Sequence, residues 1–330
     1  MTICDAHFHI LPAFRGYTGR GEVLSIGNGK VRYSTGEEGQ AVPPAFADSN
    51  FTLEAGLAYL QQEGVDTAFL MQATYYGIHN DYVGAAIATD PVRFRGAICI
   101  DPYSKYWRQI MTRCVTELDL TAVKFEMSED YGLTGVHPYL RVNSEDLMPF
   151  WNQAVEFGIP FVIDPGWSNT LGNRPLDIAD LIRKQPQLKV IVPHLGQPTA
   201  EIVAENVKVV AEKGELSRAD VERDASWFQW MRVAADSEQV TGFDLAILHT
   251  FAEHEEYPYP TAQEYVRHAA ELVGPERLIW ASDLPSLLLH ATYKQSIDWV
   301  RKHCDFLTDE QRAGVMAGNA HRVYGFKVAA

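Results

Sequence analysis

Long apolar runs are missing from this 330-residue chain. No stretch approaches the ~18 residues that a membrane-spanning helix needs, and the start, Met1-Thr-Ile-Cys-Asp5, has neither the basic flank nor the apolar centre of a secretory signal. The expectation is a cytoplasmic protein with no membrane partner. Basic charge is also scarce. Lys and Arg number 28 against 43 Asp and Glu, a formal net charge of −15, which is the wrong sign for gripping a phosphate backbone. Nucleic acid is excluded as an expected partner. Cysteine is rare as well: Cys4, Cys99, Cys114 and Cys304 form no Cys-x-x-Cys pair and sit mostly among apolar neighbours, so they read as buried thiols rather than disulfides. There is no Gly-x-Ser-x-Gly elbow, no phosphate loop around Gly27-Asn-Gly29-Lys30 and no His-Glu-x-x-His helix. A covalent serine or cysteine route therefore has no support.

What the chain does have is a repeating β and α rhythm. Apolar residues make up 46% and charged residues 22%, as in ordinary globular proteins, and the length fits either two domains or one large barrel. Short apolar runs at residues 2–6, 66–71, 95–100, 121–125, 160–164, 188–192, 243–248 and 277–281 are bounded by Gly, Pro or Asp. Nearly continuous apolar runs of this length are how strands buried on both faces read. Between them, segments such as 53–63, 147–157 and 262–273 carry apolar residues three or four apart, with stops at Gly158 and Gly274-Pro275. Eight alternating units without a composition break predict one α/β domain over residues 1–330, a (β/α)8 TIM barrel. A doubly wound sheet is the alternative.

Two segments exceed the minimal unit. Residues 15–50, rich in glycine and containing Pro43-Pro44, form a long loop directly after strand one. Barrel active sites are built from such loops, so this one reads as a lid. Residues 199–240 hold two helical patterns, 201–212 and 217–231, after strand six. This insertion either covers the barrel or makes a contact within a homo-oligomer.

The chemistry concentrates at strand ends. Asp5-Ala-His7-Phe-His9 ends strand one, and residues two apart on a strand share a side, so His7 and His9 both aim inward. Strand six ends in Pro193-His194 and strand eight in Ser282-Asp283. Imidazole and carboxylate groups arriving from separate strand ends at one barrel axis suit a transition-metal site. Lys124 and Glu126 end strand four, and one of them is expected to face the pocket. Lys124 can hold a carboxylate or an oxyanion. His249 ends strand seven as a further pocket residue. Thr74, Tyr75 and Tyr76 offer hydroxyls at the mouth, and Trp167 supplies an aromatic wall. Arg141 and Arg174 are candidates for a carboxylate clamp. His79, His137, His268, His290, His303 and His321 lack a partner motif and read as surface or helix residues.

With these motifs in place, the sequence resembles the amidohydrolase superfamily, whose barrels carry His-x-His after strand one, His after strand six and Asp after strand eight. It is most similar to the lactonase-like branch, which includes 2-pyrone-4,6-dicarboxylate lactonase and sugar lactonases. The likeness runs through Gln72-Ala-Thr74-Tyr-Tyr-Gly77, Arg93-Phe-Arg95-Gly96, His194-Leu-Gly-Gln-Pro198, Tyr257-Pro-Tyr-Pro260, Gly274-Pro-Glu-Arg277 through Asp283, and Gly318 to Gly325. The chain departs from many members by offering Asp164 where they place a His after strand five. The resemblance implies one divalent ion, Zn or Mn, held by His7, His9, His194, Asp283 and Asp164. Because some relatives work without metal, polarisation by Lys124 alone stays open.

The expected function is hydrolysis of a lactone or cyclic amide of a small, carboxylated ring substrate. Asp283 would serve as general base and His194 as ligand or oxyanion support. Non-oxidative decarboxylation of an aromatic or unsaturated acid at the same site is the alternative. A barrel that binds a ligand without catalysis is the third reading.

Overall fold

The computed structural model describes residues 1–327. Eight parallel strands lie side by side in chain order: β1 (Cys4–His9), β2 (Thr67–Met71), β3 (Phe94–Cys99), β4 (Ala122–Glu126), β5 (Phe161–Asp164), β6 (Val190–Val192), β7 (Val240–Asp244) and β8 (Leu278–Ile279). The chain beyond β8 returns to β1 and closes the ring. His9 N–H donates to the Leu284 carbonyl at 2.9 Å, and Asp283 N–H donates to the His7 carbonyl at 2.9 Å. This is the α/β TIM barrel, not the open doubly wound sheet. Helices cover its outside, burying Trp151, Trp227, Trp230, Trp280 and Trp299.

One end of the barrel is shut. Small side chains (Cys4, Ala6, Ala97, Ala122) fill the interior beside Phe69, and the last helix, Asn319–Tyr324, packs onto them. The Tyr324 ring stacks on Phe69 with centroids 3.7 Å apart. Among the described residues the open cavity lies at the carboxyl ends of the strands, where barrels place their catalytic groups.

Three segments differ from the sequence reading. Strand seven ends at Asp244 rather than near residue 248, because the buried Asp244 carboxylate accepts from Ala246 N–H at 3.2 Å and turns the chain. His249 therefore sits on the short helix Leu248–Phe251. Residues 15–50 are not a loop. They contain a four-stranded antiparallel sheet of Arg15–Thr18, Gly21–Gly27, Lys30–Tyr33 and Glu38–Gln40. Its central hairpin turns at Asn28-Gly29, both with positive φ (54° and 72°), the pairing that a two-residue hairpin turn demands. Residues 199–240 hold three helices rather than two, because Asp224 breaks the second pattern. It caps the helix Ala225–Ala235 by accepting from Trp227 N–H at 3.3 Å.

Candidate active site

The geometry begins with an irregularity in β1. Asp5 pairs with Ala68 but Phe8 pairs with Leu70, so three steps on β1 match two on β2. This bulge switches the side that each residue faces. Cys4 and Ala6 point into the barrel, Phe8 packs outward among the helices, and His7 and His9 line the cavity. Asp5, two residues before His7, is thereby excluded from the cavity. Its carboxylate accepts from Ser282 N–H (3.1 Å), the Ser282 hydroxyl (2.6 Å) and the Tyr293 hydroxyl (2.9 Å), tying the end of β1 to the segment that carries Asp283. Replacing Asp5 by Ala leaves buried hydroxyls unpaired. We expect a loss of about 2–4 kcal/mol in urea denaturation.

The two imidazoles are held in one tautomer by partners that can only accept. His7 Nδ1–H donates to Asp244 Oδ2 at 2.8 Å, and His9 Nδ1–H donates to the Met71 carbonyl at 3.1 Å. Each Nε2 therefore presents a lone pair. The two Nε2 atoms are 3.1 Å apart, and Asp283 Oδ1 lies 3.2 Å from that of His9 and 3.7 Å from that of His7. Three lone-pair atoms in one triangle repel unless a cation or an additional proton sits among them. Ligands on a tetrahedral ion with ~2.0–2.1 Å bonds stand about 3.3 Å apart, which is the spacing seen. Burial first, then the neighbouring His7, pushes the His9 imidazole down to about 4 against the pull of Asp283, so it is neutral, as a metal ligand must be.

Backbone strain marks the same place. His194, Leu195, Gly196 and Gln197 follow one another with φ of 54°, 52°, 74° and 61°, and Asp283 has φ 63°. Left-handed backbone at non-glycine residues costs energy and tends to collect at functional sites. The His194 turn is held by Asp244, which accepts from His194 N–H at 2.8 Å, while His194 Nδ1–H donates to the Ala246 carbonyl at 2.8 Å. Asp244 thus orients both His7 and His194.

His194 Nε2 faces Asp164 Oδ2 at 3.2 Å, and the same oxygen meets Lys124 Nζ at 2.5 Å. Two donors thus meet one Asp164 oxygen, while its other oxygen accepts from Gly166 N–H at 3.2 Å. Burial disfavours charge on His194, but the Asp164 carboxylate outweighs it and lifts the imidazole well above its ordinary value. Lys124 and Glu126 are two apart on β4 and both face the cavity, not one of the two, with Nζ and Oε2 3.4 Å apart. Burial, reinforced by Asp164 and opposed by Lys124, pushes the Glu126 carboxyl up to about 7.

Above these groups lies a cavity of about 490 Å³ lined by Tyr75, Tyr76, Trp167 and His249 as well as the strand-end residues. Burial first, then His194, pushes His249 down to about 3. Its neutral Nε2 accepts from the Gln197 amide at 3.1 Å. Three expected binding residues lie elsewhere. The Thr74 hydroxyl is spent on the Tyr131 carbonyl at 3.1 Å. Arg141 and Arg174 line a separate small cleft; Arg141 turns toward Asp177 at 3.9 Å, and Arg174 Nε donates to the Leu171 carbonyl at 2.8 Å. Neither forms a clamp in the cavity. Sequence reasoning missed Asp244 and His290. Asp244 is a lone acid inside an apolar run, where burial demands partners. His290 enters the lining after the turn Ser286–Leu289 and carries no signal in the sequence.

A barrel with His7, His9 and Asp283 gathered at its open end defines an amidohydrolase-type enzyme. The chain belongs to the amidohydrolase family, whose sequence pattern spans residues 4–326. No curated protein matches it in a sequence search. Among solved structures it is similar to a probable 2-pyrone-4,6-dicarboxylic acid hydrolase from Acinetobacter baumannii with citric acid bound, at 15% identity and TM-score 0.65 over 99% of this chain and 100% of that one. An amidohydrolase from Burkholderia multivorans with bound zinc has 14% identity and TM-score 0.65 over 98% and 99%. A dihydroxybenzoic acid decarboxylase from Polaromonas sp. JS666, with bound manganese and the inhibitor 2-nitroresorcinol, has 14% identity and TM-score 0.54 over 83% and 86%.

Proposed function

We propose that this enzyme is a hydrolase that opens a lactone or cyclic amide with water, using one divalent cation held by His7, His9 and Asp283. The observation that carries the reading is the triangle of lone-pair atoms, whose tautomers are fixed by Asp244 and Met71. A bound divalent ion there supplies Lewis-acid activation of water and of a carbonyl. Asp283, with its other oxygen held by the Ser286 hydroxyl at 2.5 Å, accepts the proton of the attacking water and returns it to the leaving oxygen or nitrogen. Lys124, which keeps one N–H beyond those directed at Asp164 and Glu126, is proposed to face the negative charge that develops on the carbonyl oxygen, with the protonated His194 nearby adding positive charge. Two imidazoles and a carboxylate suit Zn or Mn. The zinc of the Burkholderia relative and the manganese of the Polaromonas relative support that choice. Decarboxylation is the second reading. It is supported by the Polaromonas likeness, which covers less of this chain than the hydrolase likeness does.

Residues 15–50 are proposed to act as a fixed wall instead of a hinged lid. Arg15 and Tyr17 N–H donate to the Tyr76 and Thr74 carbonyls at 3.0 and 2.9 Å, and Gln40 and Ala41 line the cavity. No helix among the described residues is long and apolar enough to cross a membrane. The four buried, free thiols support a reducing, cytoplasmic setting.

Metal analysis tests the reading. Purified protein is expected to hold one divalent ion per chain, and His7→Ala and His9→Ala should each lower its affinity by at least about tenfold. Chelation should stop lactone hydrolysis, and Zn or Mn should restore it. Full turnover from metal-free protein would contradict the proposal.

A further inference from the structure

We infer that the substrate is an uncharged ring lactone or lactam carrying an apolar, aryl-sized substituent, with the substituent seated on Tyr131, Trp167 and Leu289 at the cavity mouth. The inference rests on the hydrolase reading and adds the substrate class. Charge argues first. Among the described residues no arginine lines the cavity, and its two protonated groups are committed to acids, Lys124 to Asp164 at 2.5 Å and to Glu126 at 3.4 Å and His194 Nε2 to Asp164 at 3.2 Å. The acids lining it are Glu126, Asp164, Glu253 and Asp283. A substrate carboxylate would lose its water here and meet carboxylates instead of a free cation, which is costly. It could find compensation only at the cation held by His7, His9 and Asp283 and at the remaining Lys124 N–H, the places that the scissile carbonyl must take.

Shape and surface argue second. A cavity of about 490 Å³ is in the size range that encloses drug-like ligands, and is far larger than a bare five- or six-membered ring requires. Its rim is apolar. Among the described residues only twelve large apolar side chains are strongly exposed, and three of them, Tyr131 (39%), Trp167 (38%) and Leu289 (39%), line this one cavity. Two are braced: the Trp167 ring stands edge-on to His249 at 5.4 Å and the Tyr131 ring edge-on to Tyr75 at 5.1 Å. Rigid, solvent-facing aromatic walls gain most from an apolar group that covers them.

The experiment compares three probes on the metal-loaded enzyme: γ-butyrolactone, γ-phenyl-γ-butyrolactone and its 4-carboxyphenyl counterpart. The phenyl compound is expected to exceed both others in kcat/KM by at least about tenfold, a factor equal to ~1.4 kcal/mol. Trp167→Ala should reduce the phenyl compound's kcat/KM, mainly through KM, at least fivefold more than it reduces that of γ-butyrolactone. Leu289→Arg should narrow the gap between the phenyl and carboxyphenyl compounds. Equal or faster turnover of the carboxylated compound, or an equal effect of Trp167→Ala on substituted and bare rings, would overturn the inference. If none of the three is hydrolysed, the hydrolase reading fails separately, and calorimetric binding of the same compounds still decides. Tighter binding of the phenyl compound than of the carboxylated one supports the inference. The reverse order, or no binding by any of them, overturns it.

Discussion

Asp283→Asn is expected to lower lactone turnover by about a thousandfold or more, within the ~10²–10⁴ range of a lost general base compounded by a weakened metal site, while leaving the protein folded. The two halves of this result follow from the same geometry. Asp283 Oδ1 faces the lone pairs of His9 and His7 at 3.2 and 3.7 Å, and its charge serves both to hold a cation and to take a proton. The amide of Asn keeps the size but loses the charge and the basicity. Its NH₂ can donate to the His9 lone pair, so the metal-free protein gains a hydrogen bond where it had repulsion. Asn also tolerates the φ of 63° at this position better than most residues do. Circular dichroism and thermal melting check the fold, and initial rates on a lactone check the chemistry. A fully active Asp283→Asn variant would remove Asp283 from the mechanism.

Lys124→Met is expected to be the most destabilising single change in the cavity, by about 3–5 kcal/mol. Lys124 is almost fully buried, and Asp164 and Glu126 both depend on it. Removing the ammonium leaves two carboxylates facing each other with only His194 to compensate. The penalty should depend on pH with a definite sign. The Glu126 carboxyl lies at about 7 in the folded protein, raised first by burial and then by Asp164, above its value of ~4.3 in an unfolded chain. Lys124 opposes that rise, so the carboxyl lies higher still in the variant; its ionised form is disfavoured in the fold, and the cost is larger at pH 8 than at pH 6, where Glu126 is largely protonated with or without the lysine. Urea denaturation of the variant at pH 8 and at pH 6 reads this out. A cost that stays constant or grows at pH 6 would contradict the assignment.

Much of this site was legible because parallel barrel strands are simple objects. Runs buried on both faces announce themselves as apolar segments, and the residue just past each run lands at the open end of the barrel. That rule places His7, His9, His194 and Asp283 at one end. It could not show the bulge in β1, which depends on how β1 pairs with β2 and which sends Asp5 to the outside and His7 to the inside. Nor could it reveal Asp244, concealed in an apolar run as though it were part of the core. The Asn28-Gly29 turn was legible in principle, since that dipeptide between alternating apolar residues marks a hairpin, but the glycine-rich composition of residues 15–50 reads more readily as a loop. Arg141 and Arg174 mislead for a different reason. A cation near a strand end points wherever its nearest acceptor lies, and those acceptors, Asp177 and the Leu171 carbonyl, are outside the cavity.

The central claim is that water is the nucleophile at the triangle formed by His7, His9 and Asp283. Mass spectrometry of products formed in ¹⁸O-labelled water, across a panel of cyclic lactones, ring amides and aromatic acids, tests it most directly. The account predicts ¹⁸O in the carboxylate of a ring-opened product. Release of CO₂ from an aromatic acid, with no label taken up from any lactone or amide, would contradict it.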